Sequence, residues 1–208
     1  VTLAASASTT VSGADVDFGT DDTAAFEAAV EFIGQRRATV LSLSGAKGYM
    51  VTRPIYLRSQ VPPLTSPDNI PHFNRTPQLA VKSDGDARVT AGAAMTAVFY
   101  LLGEGFNQPA QAWTFDNVLV DGANLATSCV HHFYSYGNHV HKCRFLRAIH
   151  GYYKHGQGGG LITFCLFSTK WGVYNAQSGD STYAFNDFYP RMNGGAIYWA
   201  CGSGNDKV

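Results

Sequence analysis

Apolar and polar positions alternate along this chain with two different periods. Near the start, Asp21-Asp22-Thr23 offers N-cap groups, and Phe26, Ala29, Val30 and Ile33 then recur on one face at helical spacing. The pattern predicts a helix from about Thr23 to Ile33, stopped by Gly34. Beyond it the period drops to two. Thr39-Val40-Leu41-Ser42-Leu43 alternates as a strand, Gly45 to Gly48 turns the chain, and Tyr49-Met50-Val51 and Ile55-Tyr56-Leu57 read as further short strands. Positions 58–77 hold Pro62, Pro63, Pro67, Pro71 and Pro77, which predicts a long irregular excursion. From Gln78 onward short apolar runs are broken by Gly, Asp and Asn, and no second helix of any length is predicted.

Those runs repeat. Segments beginning at Phe115, Val140, Ile162 and Tyr183 each open and close on a large apolar residue six positions long, as in Val140-His141-Lys142-Cys143-Arg144-Phe145. A second element follows each: Cys129-Val130-His131, Gly151-Tyr152-Tyr153, Gly172-Val173-Tyr174 and Ala196-Ile197-Tyr198. A period in the low twenties marks a solenoid. Leucine-rich repeats share that period but need Leu at fixed places, and Leu is sparse here. Short β-rich rungs with Gly turns fit a parallel β-helix, in which no rung buries its apolar face alone and each must stack on the next.

Composition narrows the function. The 208 residues are 45% hydrophobic and carry 15 basic and 15 acidic side chains, for no net charge. That excludes neither fold nor enzyme, but it gives no bulk electrostatic pull toward nucleic acid or a membrane surface. No apolar run approaches the ~20 residues that span a bilayer. The small, polar residues at 1–10 read as a trimmed or processed start. Cys129, Cys143, Cys165 and Cys201 form no CxxC pair, so no zinc site is expected, and no cofactor either. Cys143 and Cys165 fall at equivalent places in adjacent repeats and read as an inward stack of free thiols. Asn74-Arg75-Thr76 fits a glycosylation sequon, a triplet common by chance.

The opening Asp17-Phe18-Gly19-Thr20-Asp21-Asp22-Thr23-Ala24-Ala25-Phe26 resembles the "DFGA…GDGxTDDTxAFQxAI" start of the pectate-lyase-like superfamily, pectate lyase 3 type, which includes phage tailspikes and pre-neck appendage proteins, fungal glucanases and alginate epimerases. Residues 39–49 are similar to its "GGTVYLPPGTY" strand-turn-strand, and Asn117-Val118-Leu119-Val120-Asp121-Gly122 to its "NLTIDGN" rung. The glycine-rich insert before Thr20 is missing, and Ser44-Gly45-Ala46 stands where the family has a proline pair. The resemblance implies an all-β fold, a right-handed parallel β-helix with a short N-terminal capping helix. It implies an N-terminal extension over 1–14 and a β-helix domain over 15–208 that continues beyond the chain end. It also implies an extracellular setting, on a virion tail or secreted, a polysaccharide or cell-surface glycan as partner, and a homotrimer. Within the family the reaction varies, so a tailspike-like depolymerase (lyase or hydrolase), a non-catalytic structural or glycan-binding module, and a secreted lyase or epimerase all remain open.

Candidate chemistry follows from which residues point outward. Taking the apolar ends of each segment as inward, the outward columns are Asp116, His141, Thr163 and Ala184; then Leu119, Arg144, Leu166 and Asp187; then His131, Tyr153, Tyr174 and Tyr198. The last is an aromatic strip on which sugar rings could stack by their C–H faces, or else a ladder that only holds rungs together. The stretch His131 to His155 is rich in His, with His132, His139, His141 and His150 between, and in cations. A lyase needs a base near neutral pKa and a cation for the enolate, and His155 and Arg144 are the candidates. A glycosidase needs two carboxylates, for which Asp180 and Asp187 are the plausible pair, Asp121 being accounted for by its Asp-Gly turn. The expected catalytic set is therefore Asp187, His155 and Arg144, with His131, Tyr153, Tyr174 and Tyr198 binding substrate and no metal.

Overall fold

The computed structural model describes residues 19–36, 40–45, 47–58, 79–102, 113–133, 137–156, 160–176, 181–191 and 193–199. The extension over 1–14, most of the proline excursion with its sequon, Asp180 and Cys201 lie outside them.

One helix, α1 (Thr23–Arg36), leads into strands that repeat in threes. The first rung is β1 (Val40–Leu43), β2 (Gly48–Val51) and β3 (Ile55–Arg58); the second is β4 (Leu79–Ser83), β5 (Arg88–Ala91) and β6 (Met95–Leu102). The third is β7 (Trp113–Asp116), β8 (Leu119–Asp121) and β9 (Ala126–Phe133); the fourth is β10 (Asn138–His141), β11 (Arg144–Leu146) and β12 (His150–His155). The fifth is β13 (Gly160–Thr163), β14 (Leu166–Ser168) and β15 (Trp171–Asn175); the sixth is β16 (Ser181–Ala184), β17 (Asp187–Phe188) and β18 (Gly195–Trp199). Every third strand joins the same sheet, giving three six-stranded sheets. We number them by their first strand: sheet 1 holds β1, sheet 2 β2 and sheet 3 β3. Every pairing is parallel. The arrangement is that of a parallel β-helix.

The expected registers are found. Val140 lies in register with Phe115 on one side and Ile162 on the other. Each six-residue segment is two strands, not one, meeting at a corner. The corner residues Asn117, Lys142, Phe164 and Phe185 take the left-handed conformation, with φ of 57°, 52°, 54° and 57°. Asn suits that conformation and spends its amide on the Gly85 carbonyl at 2.8 Å. Next to it, Val118, Cys143 and Cys165 turn into the core, and all three described cysteines, Cys129 included, are buried free thiols.

The core is a stack of repeats. Phe99 packs edge-on against Phe115 at 5.4 Å, and Phe145, Phe167 and Phe188 stack in file at 5.0 and 4.9 Å. Each fully buried Phe contributes about 1.5–3 kcal/mol relative to exposure. At the start of the sheet 3 strands two successive residues face inward, as in Gly151-Tyr152 and Gly172-Val173, because the chain is still rounding a corner. A Cβ on Gly151 would lie 2.5 Å from Phe167, and one on Gly172 2.3 Å from Phe188, so the Phe file leaves room only for Gly. Asp121 does more than shape its turn. It is almost fully buried, accepts the Ala123 amide at 2.9 Å, and is held by Arg88 (2.5 Å) and by both Nε and Nη2 of Arg147 (2.9 Å each), tying three rungs together.

The helix covers the first rung. Phe26, Val30 and Ile33 are buried, and the Phe26 ring meets Tyr49 at 5.6 Å and Phe99 at 6.1 Å. Its start is fixed by Asp21, whose carboxylate accepts from Thr23 and Thr52, and by Asp22, which accepts the Met50 amide. Gly34 does not stop it: the helix runs on to Arg36. A single Gly costs a helix only about 1 kcal/mol, less than the buried Phe26–Ile33 face returns.

Candidate functional site

Three outward columns run up sheet 3, across the strands. The central one is Tyr56, Tyr100, His131, Tyr153, Tyr174 and Tyr198, one ring from every rung. Successive ring centroids are 5.5, 4.3, 4.5, 5.1 and 4.7 Å apart. Beside it stand His150, Trp171 and Gly195 in register with Ala97 and Ser128, which are themselves buried, and on the other side Leu102, Phe133 and His155. The four residues expected to bind substrate thus share one face and one file.

The rings do not lie flat on the sheet. Tyr153 and Tyr174 are 10° from parallel, Tyr174 and Tyr198 19°, and Tyr100 and His131 21°. At such centroid distances parallel rings must overlap face to face, offset, so each ring's face is covered by its neighbour, and the Nε2 of His131 is buried without a hydrogen-bond partner. The widest break is where His131 and Tyr153 meet at 56°; Tyr56 and Tyr100 are also tilted, at 39°. Tyr153 sits at that break among three imidazoles: His131 at 4.5 Å, His150 at 5.0 Å and His155, edge-on, at 6.4 Å. His150 also reaches Tyr174 at 4.7 Å, and its Nδ1 faces Ser128 Oγ at 3.4 Å. Burial pushes His131 down to about 4, helped by His155 and His150; burial, with the charge of Lys170, brings His150 to about 4 as well. Both imidazoles are therefore neutral near pH 7. Tyr100 is raised by burial and its Tyr neighbours.

The expected catalytic set is not assembled. Arg144 and Asp187 stand in one outward column of sheet 2, separated by the Leu166 rung, whereas His155 is on sheet 3. Arg144 Nη2 pairs with Asp86 at 2.7 Å, and Asp187 is exposed in the last rung. The first column reads as expected: Asp116, His141, Thr163 and Ala184 are in register, and His141 Nδ1 lies 3.0 Å from Thr163 Oγ1. Among the described residues no group of three or more His, Cys, Asp or Glu is placed to hold a metal.

Sequence reasoning missed the first two members of the file. Tyr56 and Tyr100 belong to it, but the excursion after β3 and the long second rung, whose first strand starts at Leu79 and is followed by the next rung only at Trp113, spoil the period there. It missed Trp171 and Phe133 on the flanks, since only one outward residue per strand was read. It also missed an internal polar cluster. His132 Nδ1 lies 3.0 Å from Tyr152 Oη and 3.1 Å from Asn138 Nδ2, and buried Lys154 donates to Ser181 Oγ. With Tyr183 they line a cavity of about 10 Å³, room for one water. Burial raises the Tyr152 phenol far above its ordinary value.

No protein-family model, curated protein or solved structure matches this chain.

Proposed function

We propose that this chain is a glycan-binding module of the pectate-lyase-like kind, a right-handed β-helix that binds polysaccharide along the outer face of sheet 3. The observation that carries the proposal is that the outward aromatic and imidazole residues from Tyr56 to Tyr198 stand in continuous register, one from each rung. Two of its rings are well exposed, Tyr56 at 43% and Tyr198 at 39%. A ladder serving only to hold rungs together would need no phenol hydroxyls at its outer edge, and Phe would do. Sugar contact then comes from hydroxyl tips and ring edges along the file, and from ring faces at the His131–Tyr153 break.

Binding, not cleavage, is the reading the described rungs favour. A hydrolase needs two carboxylates flanking one bond, about 5–10 Å apart, and a lyase needs a base and a cation on the same sugar. Arg144 and Asp187 face away from the aromatic file, so a depolymerase would have to draw its chemistry from elsewhere. The motif resemblance, the three parallel sheets and the helix over the first rung support the family assignment. A homotrimer displayed outside the cell is the setting it suggests, and native mass measurement tests the trimer.

The test is retention of the protein in gels cast with individual polysaccharides, together with ultraviolet absorbance for unsaturated ends and a reducing-sugar assay. Retention without new ends is the expected result. Retention by no polysaccharide would sink the proposal, and release of ends would replace binding with depolymerisation.

A further inference from the structure

The polar groups of the sheet 3 face share one property. From the second rung to the sixth, its three columns hold Ala97, Ser128, His150, Trp171 and Gly195; Tyr100, His131, Tyr153, Tyr174 and Tyr198; and Leu102, Phe133 and His155. Among the described residues not one of these is Asp, Glu, Lys or Arg, and the charged residue in register with them is Arg58, in the first rung. All but Trp171 of the polar side chains are hydroxyls or imidazoles, groups that both donate and accept hydrogen bonds when neutral. By contrast the outward columns of sheet 2 carry Arg88, Arg144 and Asp187, and those of sheet 1 carry Lys82 and Asp116. Charge is thus partitioned by face.

From this partition we infer that the ligand of the sheet 3 face is a neutral glycan, without uronate, sulfate or phosphate groups along the stretch it lays on the file. The inference rests on the glycan-binding reading above and sharpens it. A sugar hydroxyl is itself both donor and acceptor, so it matches Tyr and neutral His in either direction. A carboxylate or sulfate laid on the same face between the second and sixth rungs loses hydration against aromatic surface and meets no cation in those columns to offset the loss. The two half-buried imidazoles do not supply that cation near pH 7, because burial keeps them uncharged. The cation nearest to this face by its effect is Lys170, at the corner before β15, where it acts on His150 from outside the columns. It is therefore the residue through which the inference would fail.

The whole chain is titrated calorimetrically with linear neutral glucans and mannans, and with polyuronates and sulfated glycans, at low and high salt. The expected result is binding of a neutral polymer with an affinity that salt leaves unchanged, since screening acts on charge pairs. Tyr174→Phe keeps both ring stacks and removes one hydroxyl, so it should weaken that binding several-fold with an unchanged denaturation midpoint. Lys170→Gln should leave it unaltered. Binding confined to acidic polymers, falling with salt and lost in Lys170→Gln, would overturn the neutral ligand and leave glycan binding standing. Binding of no polymer of either class overturns both.

Discussion

The phenol rings of Tyr153 and Tyr174, from strands β12 and β15, stack 5.1 Å apart and within 10° of parallel, and Tyr198 continues the stack beyond them. Tyr174 therefore has a neighbour on each face. Aromatic pairs are worth about 0.5–1.5 kcal/mol beyond area burial, so Tyr174→Ala should cost about 1–3 kcal/mol of stability. Chemical denaturation should show a lower midpoint at unchanged slope for Tyr174→Ala, and no change for Tyr174→Phe. From the sequence, Tyr174 read as one ring of an outward strip that either binds sugar or holds rungs together; an outward ring stacked on both faces is a packed ring whichever it does.

What the sequence revealed was whatever the period carries. The registers from Phe115 to Tyr183 and from His131 to Tyr198 could be counted directly, because each rung adds nearly the same number of residues. What it hid depends on side-chain torsion and on broken periods. Nothing in the spacing of Tyr153 and Tyr174 tells whether their rings lie flat or stack. Nothing near Tyr56 and Tyr100 shows that they share a column when a proline-rich excursion separates them. Arg144, His155 and Asp187 were grouped by residue type, and type does not report that a corner lies between Arg144 and His155.

Gly172 tests the Phe file from the inside. A Cβ there would lie 2.3 Å from the Phe188 ring and 2.6 Å from the Ala196 carbonyl oxygen, so Gly172→Ala must push one of them away. Overpacking of this kind costs about 1–3 kcal/mol. Gly48 is the control, since a Cβ there meets nothing within 4 Å. Thermal melts should show a clear loss for Gly172→Ala and a change within about 0.5 kcal/mol for Gly48→Ala.

Asp121 should be among the most sensitive side chains. Its carboxylate is 1% exposed and holds Arg88 and Arg147 from the rungs on either side. Asp121→Ala removes the carboxylate that both guanidiniums grip, that of Arg147 being only 16% exposed. Breaking a buried pair this way costs about 3–5 kcal/mol. A loss below about 1 kcal/mol in urea unfolding would mean that the clamp is screened by water.

The thiols report whether the rungs open. Cys129, Cys143 and Cys165 are fully buried, and burial raises the Cys129 and Cys143 thiols well above their ordinary value. The thiolate is the reactive form, so these three should resist alkylation in the native protein and label at the rate of unfolding. Mass spectrometry of pulse-labelled peptides separates them. Fast labelling of Cys143 or Cys165 under native conditions would show that the sheet 1–sheet 2 corner opens locally.

Acid should weaken the fold through the aromatic face. His131 and His150 ordinarily titrate near 6.5, and in the folded chain both are brought to about 4. The sign follows from proton counting. Between about 6.5 and 4 the unfolded chain binds protons at these two sites while the native chain does not, so stability falls as pH falls. Above 6.5 both states are neutral there and the contribution is fully present; below about 4 both are charged and the loss levels off. His131→Gln cannot take up that proton. Its denaturation midpoint should vary less across this window than the wild-type midpoint does. His150→Gln should flatten the profile in the same way, because burial brings both rings to about 4. Parallel profiles for wild type and both variants would mean that the rings between Tyr100 and Tyr174 separate enough to hydrate before they are protonated.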